Sequence, residues 1–424
     1  MNCRGFSPCL CVVLILITAT ASLITANAQA PSSVSLSPLL PMPAGPYLIG
    51  RKGYALTDSS RTDPWPSGQE KNRELMVYVW YPAQPTGHPP TGEYVPGARL
   101  LDSNAGAKAA AQEMFGARWP QIVSGSIASH AVDNAIPVTH AGKFPVILFS
   151  HGITDTTFSY TAQIENFVSH GYVVVAIEHT DAAGVVLFPD GHIRLHHRAA
   201  TPTPAPKDPL QAMIASAQSE TETGAEDVRF VLDELDHGAI SIRQIADLYR
   251  VAAVGHSYGG TVTVRACQLD SRIKACISED GEVNPVGAYF DYPDHASFQQ
   301  PFLFLEIGQH PTDEMLARMR EPRAQWEQYL VHEREQLKAC KPRSYHVLLN
   351  GADMTHASFS DGLVLSATPG TVDASTALSN LLLTEALELS FLDKVLKKEP
   401  SPALDHTRRP LPGVEVEQIG KRHQ

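Results

Sequence analysis

The sequence predicts an α/β fold: a mostly parallel central sheet with helices on both faces. Three observations carry this. Tyr172–Ile177 (YVVVAI) is a nearly continuous β-branched run, as a strand buried on both faces requires. Such runs alternate along the chain with segments of helical periodicity, the order that builds a parallel sheet through crossover connections. One apolar run, Arg250–Gly255, passes directly into His256-Ser257-Tyr258-Gly259-Gly260, a strand-to-helix turn rich in small residues.

The elements follow in order. Residues 1–30 read as an export signal: Arg4 supplies the positive start and Leu10–Ile17 (LCVVLILI) the apolar stretch. Small residues before Ala28 and Ala30 fit cleavage near either position. The apolar stretch is shorter than the roughly 20 residues a membrane span needs. Residues 31–44 are a Pro- and Ser-rich lead-in, and 45–396 are assigned to one α/β domain. Leu75–Trp80 alternates as a strand and is stopped by Pro82; 83–97 is loop and 99–118 an alanine-rich helix. Val146–Phe149 is a strand running into Ser150-His151-Gly152. Phe158–Ser169 has helical spacing, with Gly171 as its stop, and Tyr172–Ile177 follows as a strand. Residues 181–222 are polar and Pro-bearing and read as a lid or substrate-flanking loop. Gly224–Asp236 is a helix closed by Gly238. After the 250–260 turn and its helix come strands at 273–277, 302–307 and 345–349, with charged helical sequence at 311–340. A helix at 377–396 carries an apolar stripe, and 397–424 read as a loose polar tail. There is no internal repeat.

Composition bounds the function. Hydrophobic residues at 43% supply a large core, and a formal charge of −12 argues against a nucleic-acid partner. Cys3, Cys9 and Cys11 leave with the signal. Cys267, Cys276 and Cys340 remain, an odd number that excludes a disulfide scaffold. Cys267 and Cys276 read as small buried hydrophobes; a bridge between them is the alternative. His192, His196 and His197 have no Cys or carboxylate at metal-ligand spacing and read as solvated loop residues. No phosphate-binding or dinucleotide fingerprint occurs, so no cofactor is expected.

The chemistry centres on Gly255-His256-Ser257-Tyr258-Gly259, which matches the G-x-S-x-G nucleophile elbow of α/β-hydrolases. Ser257 is the candidate nucleophile. Glycine is expected two positions either side because a Cβ there would meet backbone. The Tyr258 N–H, at a helix N-terminus, is a candidate oxyanion donor. A second donor is expected after an earlier strand, where Ile153 follows His151-Gly152. His151 reads as a structural hydrogen-bonder, and His256 points away from the elbow. The base must follow the serine in the chain. His356, in a loop after strand 345–349, has the right position; His346 lies within that strand, and His406 and His423 in the tail. The orienting carboxylate is Asp280 or Asp313, each just beyond a strand end, and position does not separate them. Glu279, Glu306 and Asp353 are weaker candidates. Asp280 has a bland alternative as a turn residue before Gly281.

Four segments together resemble the plasma-type (type II) platelet-activating-factor acetylhydrolases and their bacterial relatives. They are Phe144–Gly152 (FPVILFSHG), Ser169–Asp181 (SHGYVVVAIEHTD), Val231–Leu235 leading to Val254–Gly260 (VGHSYGG), and His356–Asp361 (HASFSD). Leu75–Ala83 is similar to an early strand of the family, and the likeness runs over about residues 45–395. It implies an α/β-hydrolase fold and a serine esterase acting on a small-molecule or lipid ester with a short acyl chain, without a cofactor. It implies Asp280 as the acid, supports Ile153 and Tyr258 as the oxyanion pair, and suggests transient contact with a lipid surface, although no basic amphipathic anchor is evident. The chain departs from the family in its shortened Pro-rich 201–210 region and in Glu282-Val283-Asn284-Pro285 after the acid, regions that shape specificity. A dienelactone-hydrolase- or cutinase-like carboxylesterase or polyester hydrolase is the alternative activity; a non-catalytic binding module is the alternative of another class.

Overall fold

The computed structural model describes residues 40–63, 72–85, 87, 90–197, 209–281, 299–308, 312–319, 323–339, 344–351, 353–368, 370–401, 403–405 and 411–419. The described residues belong to one unit, Pro38–Gln424. The expected signal and most of the lead-in lie outside them, as do 201–208, 282–298, His406 and His423.

Two long antiparallel strands, β1 (Leu48–Thr62) and β2 (Asn72–Ala83), begin the fold. Helices α1 (Ala98–Ser103), α2 (Ala105–Phe115) and α3 (Trp119–Ser124) follow, then the short β3 (Val132–Asp133). Next come β4 (Phe144–Ser150), α4 (Thr161–Ser169) and β5 (Val173–Glu178). A small antiparallel hairpin, β6 (Val185–Leu187) and β7 (Ile193–Leu195), precedes α5 (Pro209–His237). The second half holds β8 (Ala246–His256), α6 (Tyr258–Leu269), β9 (Ile273–Glu279), β10 (Phe302–Ile307), α7 (Asp313–Met319), α8 (Arg323–Ala339) and β11 (Ser344–Leu349). It ends with α9 (Gly362–Ser366), α10 (Val372–Leu392) and β12 (Val414–Ile419).

Among the described residues the main sheet has ten strands in the order β12-β11-β10-β9-β8-β4-β5-β2-β1-β3. From β5 through β4, β8, β9 and β10 to β11 every pairing is parallel; β2 and β12 join antiparallel at either side. This is the α/β-hydrolase architecture the sequence predicts.

The strand sequences explain how the sheet is buried twice. Alternate residues of each central strand serve opposite cores. Ile147, Phe149, Val174, Ala176, Ala252 and Val254 join one core, with residues of α2, α4 and α10. Val146, Leu148, Val173, Val175, Val251 and Ala253 join the other, with residues of α5 and α6. Each such Val, Leu or Ile contributes about 1.5–3 kcal/mol of transfer free energy, which is why these strands are apolar throughout rather than alternating.

Several expectations are corrected. The 181–222 segment is not one loop: it holds the β6–β7 hairpin, and α5 begins at Pro209, so the helix expected at 224–236 is 29 residues long. The helix expected at 99–118 is broken at Asn104, whose side chain accepts the Ala107 N–H and caps α2. The tail is not loose throughout, since β12 pairs in register with β11 along Val414–Ile419. Strand β1 has no counterpart among the predicted elements: its exposed and buried residues intermix, and it buries the charged Arg51, which pairs with Asp133. Cys267 and Cys276 are joined by a disulfide that ties the end of α6 to β9.

Candidate active site

Ser257 sits between β8 and α6 with φ 55° and ψ −121°. A non-glycine residue holds so sparse a conformation only when its surroundings impose it. The flanking glycines show how they do. A Cβ on Gly255 would stand 2.3 Å from the carbonyl oxygen of Gly259, and one on Gly259 would stand 2.1 Å from that of Ser150. The turn thus closes onto itself and onto the end of β4. The Ser257 N–H donates to the Glu279 carbonyl at 2.9 Å, fixing the elbow against the end of β9.

Asp280 follows β9 directly, with φ 49°. Its N–H donates to the Leu305 carbonyl at 2.7 Å, and its Oδ1 accepts the Ile307 N–H at 3.0 Å, so β10 clamps both its backbone and its side chain. The free oxygen, Oδ2, lies 2.6 Å from His356 Nδ1. His356 opens a 3₁₀ turn, His356–Phe359, whose start is fixed by a capping box between Thr355 and Ser358. The imidazole is about half exposed. Asp361, at the end of the same segment, is buried; it accepts from the Tyr94 hydroxyl at 2.7 Å and from the Ala162 N–H at 3.2 Å, anchoring the segment to the start of α4.

Three of the other candidate carboxylates are otherwise engaged. Asp313 is exposed and pairs with Arg323, Glu306 bonds His346 at 2.7 Å, and Glu279 is buried against Gln163. Asp353 takes a positive φ in the loop before His356. Tertiary geometry therefore separates Asp280 from Asp313, which the sequence pattern alone could not.

Gly152 and Ile153 follow β4 beside the elbow. A Cβ on Gly152 would lie 3.6 Å from the Ser257 Cβ. Among the described residues neither the Ile153 nor the Tyr258 N–H has a hydrogen-bond partner, which leaves two donors near one serine. The structure brings Asp280 and His356 into direct contact and sets Ser257, Ile153 and Tyr258 around the same strand ends. No hydrogen bond joins the Ser257 hydroxyl to His356; such bonds often tighten only when substrate is bound.

Two histidines flank this group. His151 is fully buried, with Nδ1 2.7 Å from the Gly152 carbonyl and Nε2 accepting the His179 N–H. Burial, and then neighbouring His179, holds it down to about 3, so it is neutral. His256 is buried, with Nδ1 2.8 Å from the Tyr160 hydroxyl and Nε2 2.9 Å from the His356 carbonyl. Burial, and then His356, also holds it down to about 3. Sequence reasoning missed Tyr160 because nothing local marks it. His192, His196 and His197 are bound into the hairpin region, His192 on Asp190 and the other two on the Asp181 carbonyl. A cleft of about 340 Å³, bounded by Tyr94, Met114, Phe115 and Leu365, reaches Ser159 and Ser360 near the His356 segment.

A parallel sheet presenting a serine on a strained strand-to-helix turn, with a carboxylate and a histidine from later strand ends, defines the α/β-hydrolase class. The chain belongs to the alpha/beta hydrolase family, whose pattern matches residues 147–392. Residues 33–190 match the more specific family "Platelet-activating factor acetylhydrolase, isoform II". The platelet-activating factor acetylhydrolase of Cavia porcellus is 26% identical over 84% of this chain and 78% of that protein. A probable 1-alkyl-2-acetylglycerophosphocholine esterase of Arthroderma benhamiae is 29% identical over 61% of this chain and 62% of that protein. Among solved structures, the ferulic acid esterase from Streptomyces cinnamoneus is similar, with a TM-score of 0.63 and 28% identity, covering 89% of this chain and 98% of that one. The resemblance expected from the four sequence segments therefore holds. The chain is an enzyme of the hydrolase class, and its relatives are consistent with a serine carboxylic-ester hydrolase.

Proposed function

We propose that this protein is an exported serine esterase that cleaves short-chain carboxylic esters, including acetyl esters of platelet-activating-factor-like phospholipids. The observation that carries the reading is the 2.6 Å contact between Asp280 and His356 beside a serine held at φ 55°. Ser257 Oγ attacks the ester carbonyl carbon while His356 Nε2 takes its proton. The N–H groups of Ile153 and Tyr258 stabilise the oxyanion. Collapse of the tetrahedral intermediate breaks the ester bond, and His356 protonates the departing alkoxide. Water then hydrolyses the acyl-enzyme by the same steps in reverse roles. Asp280 keeps the Nδ1 proton in place and stabilises the imidazolium.

Export is supported by the charged start and apolar stretch of residues 1–30 and by the Cys267–Cys276 disulfide, a bond that persists in oxidising compartments. Acetyl-ester specificity rests on the named relatives. The ferulic acid esterase likeness favours a second reading, hydrolysis of hydroxycinnamoyl esters, within the same mechanism. One experiment addresses both: kcat/KM for p-nitrophenyl esters of increasing acyl length, a short-chain phosphatidylcholine and a hydroxycinnamoyl ester, for wild type and Ser257→Ala. The proposal expects acetyl to butyryl esters to be preferred and Ser257→Ala to be inactive. A preference for the hydroxycinnamoyl ester selects the second reading, and undiminished hydrolysis by Ser257→Ala refutes both.

A further inference from the structure

We infer that Asp155, Tyr160 and His256 form a directed hydrogen-bond chain that positions His356, the base assigned in the proposed mechanism, together with the oxyanion loop. The inference rests on that reading for its catalytic consequence and on proton counting for its geometry. His256 Nε2 faces the carbonyl oxygen of His356 at 2.9 Å, and a carbonyl only accepts, so Nε2 carries the proton. Burial keeps His256 neutral, so its Nδ1 is a bare acceptor. That acceptor lies 2.8 Å from the Tyr160 hydroxyl, whose single proton is thereby committed to it. The hydroxyl oxygen already accepts the Gly152 N–H at 3.1 Å and lies 3.0 Å from Asp155 Oδ2. A phenol proton given to Asp155 instead would leave His256 Nδ1 without one.

The arrangement closes only if Asp155 is a carboxylic acid donating from Oδ2. Oδ1 is taken, accepting from both the Thr156 N–H, at 3.1 Å, and the Ser159 hydroxyl, so a carboxyl proton sits on Oδ2; both donors hold the carboxyl down. Burial, the largest influence, outweighs these donors and raises the Asp155 carboxyl above its usual range. The chain thus runs Asp155 to Tyr160 to His256 to the backbone of His356, and branches at Tyr160 to Gly152. Asp155 also closes the oxyanion turn, its N–H donating to the Gly152 carbonyl at 3.1 Å. A second consequence follows for charge. The His256 and His356 rings are 4.5 Å apart, so a neutral His256 avoids opposing the imidazolium that forms on His356.

These are positioning residues, and their loss should lower kcat with little change in KM. Tyr160→Phe and His256→Phe are expected to cost roughly 10- to 100-fold in kcat, the range for a supporting contact. Asp155 separates a donor role from a charge role. Asparagine presents N–H where the acid presents O–H, so Asp155→Asn should restore the kcat that Asp155→Ala loses. Ring-nitrogen NMR of selectively labelled wild-type protein should show His256 with Nδ1 bare and Nε2 protonated. Thermal unfolding checks that each variant folds, and the Asp155 pair and the NMR readout stand if Tyr160→Phe does not. A His256 protonated at Nδ1, or Asp155→Asn no better than Asp155→Ala, overturns the chain. Wild-type kcat in Asp155→Ala and His256→Phe overturns its catalytic role while leaving Ser257-dependent hydrolysis intact. Hydrolysis that survives Ser257→Ala overturns the underlying mechanism and the positioning role together.

Discussion

Replacing Asp280 by asparagine tests the site with almost no change of shape. The amide oxygen can keep the Ile307 N–H at Oδ1, and the backbone bond to Leu305 is untouched. What changes is the atom 2.6 Å from His356 Nδ1, which turns from acceptor to donor. His356 must then offer a bare Nδ1 and carry its proton on Nε2, the nitrogen that has to receive the serine proton. A carboxylate-to-amide change of this kind costs up to about 10⁴ in kcat, near 5.5 kcal/mol. His356 is about half exposed, so water can support the useful tautomer in part, and a loss near 10³, about 4 kcal/mol, is expected. Initial rates on p-nitrophenyl acetate measure it, and KM should stay within about threefold if substrate binding is unaffected. Because both anchors of Asp280 survive, the unfolding midpoint should move by no more than about 2 °C. Asp313→Asn is the control: its side chain is exposed and meets Arg323, so kcat should not change. Asp280 is not the orienting acid if Asp280→Asn keeps more than about a tenth of wild-type kcat, or if Asp313→Asn loses as much.

Three other outcomes follow. Gly259→Ala would push a Cβ to 2.1 Å from the Ser150 carbonyl oxygen. It should destabilise by about 3 kcal/mol or more, read as a lower urea midpoint or loss of soluble protein; a normal midpoint would contradict the packed elbow. The Cys267–Cys276 bridge spans nine positions, so breaking it with Cys276→Ser should cost about 2–3 kcal/mol in urea unfolding, and dithiothreitol should then have no further effect. Glu178 is buried beside Thr156 and Thr157, and burial pushes its carboxyl up to about 7. A raised folded-state value means that the unfolded chain releases this proton first. The stability it supports is present below about pH 4.5 and lost as pH rises through about 7, on the order of 3 kcal/mol. Glu178→Gln should remove that part of the difference between urea midpoints at pH 5 and pH 8, and an unchanged difference would refute the assignment.

What the sequence made legible was what depends on local sterics and periodicity. The elbow could be read because Gly255 and Gly259 are required by atoms within four residues of one another and by one neighbouring strand end. The central strands could be read because burial on both faces demands apolar runs, and the helix faces because one side must meet the sheet. The edges were harder. β12 carries a readable alternation, Val414 and Val416 between glutamates, but its polar half hides it in a charged tail. The first turns of α5, around Gln211–Gly224, lack a strong apolar stripe, so they read as loop.

The class of fold, the candidate nucleophile and the candidate base could all be read from the linear chain, because strand, turn and helix around Ser257 are contiguous and the base must come late. Tertiary structure alone separated Asp280 from Asp313, joined Cys267 to Cys276, and gathered Asp155, Tyr160 and His256 behind His356. Each of these depends on distance between residues brought together by the order of strands in the sheet. The hydrogen bond that distinguishes one carboxylate from another acts over about 3 Å, and nothing in one-dimensional spacing measures that length across 76 residues of chain.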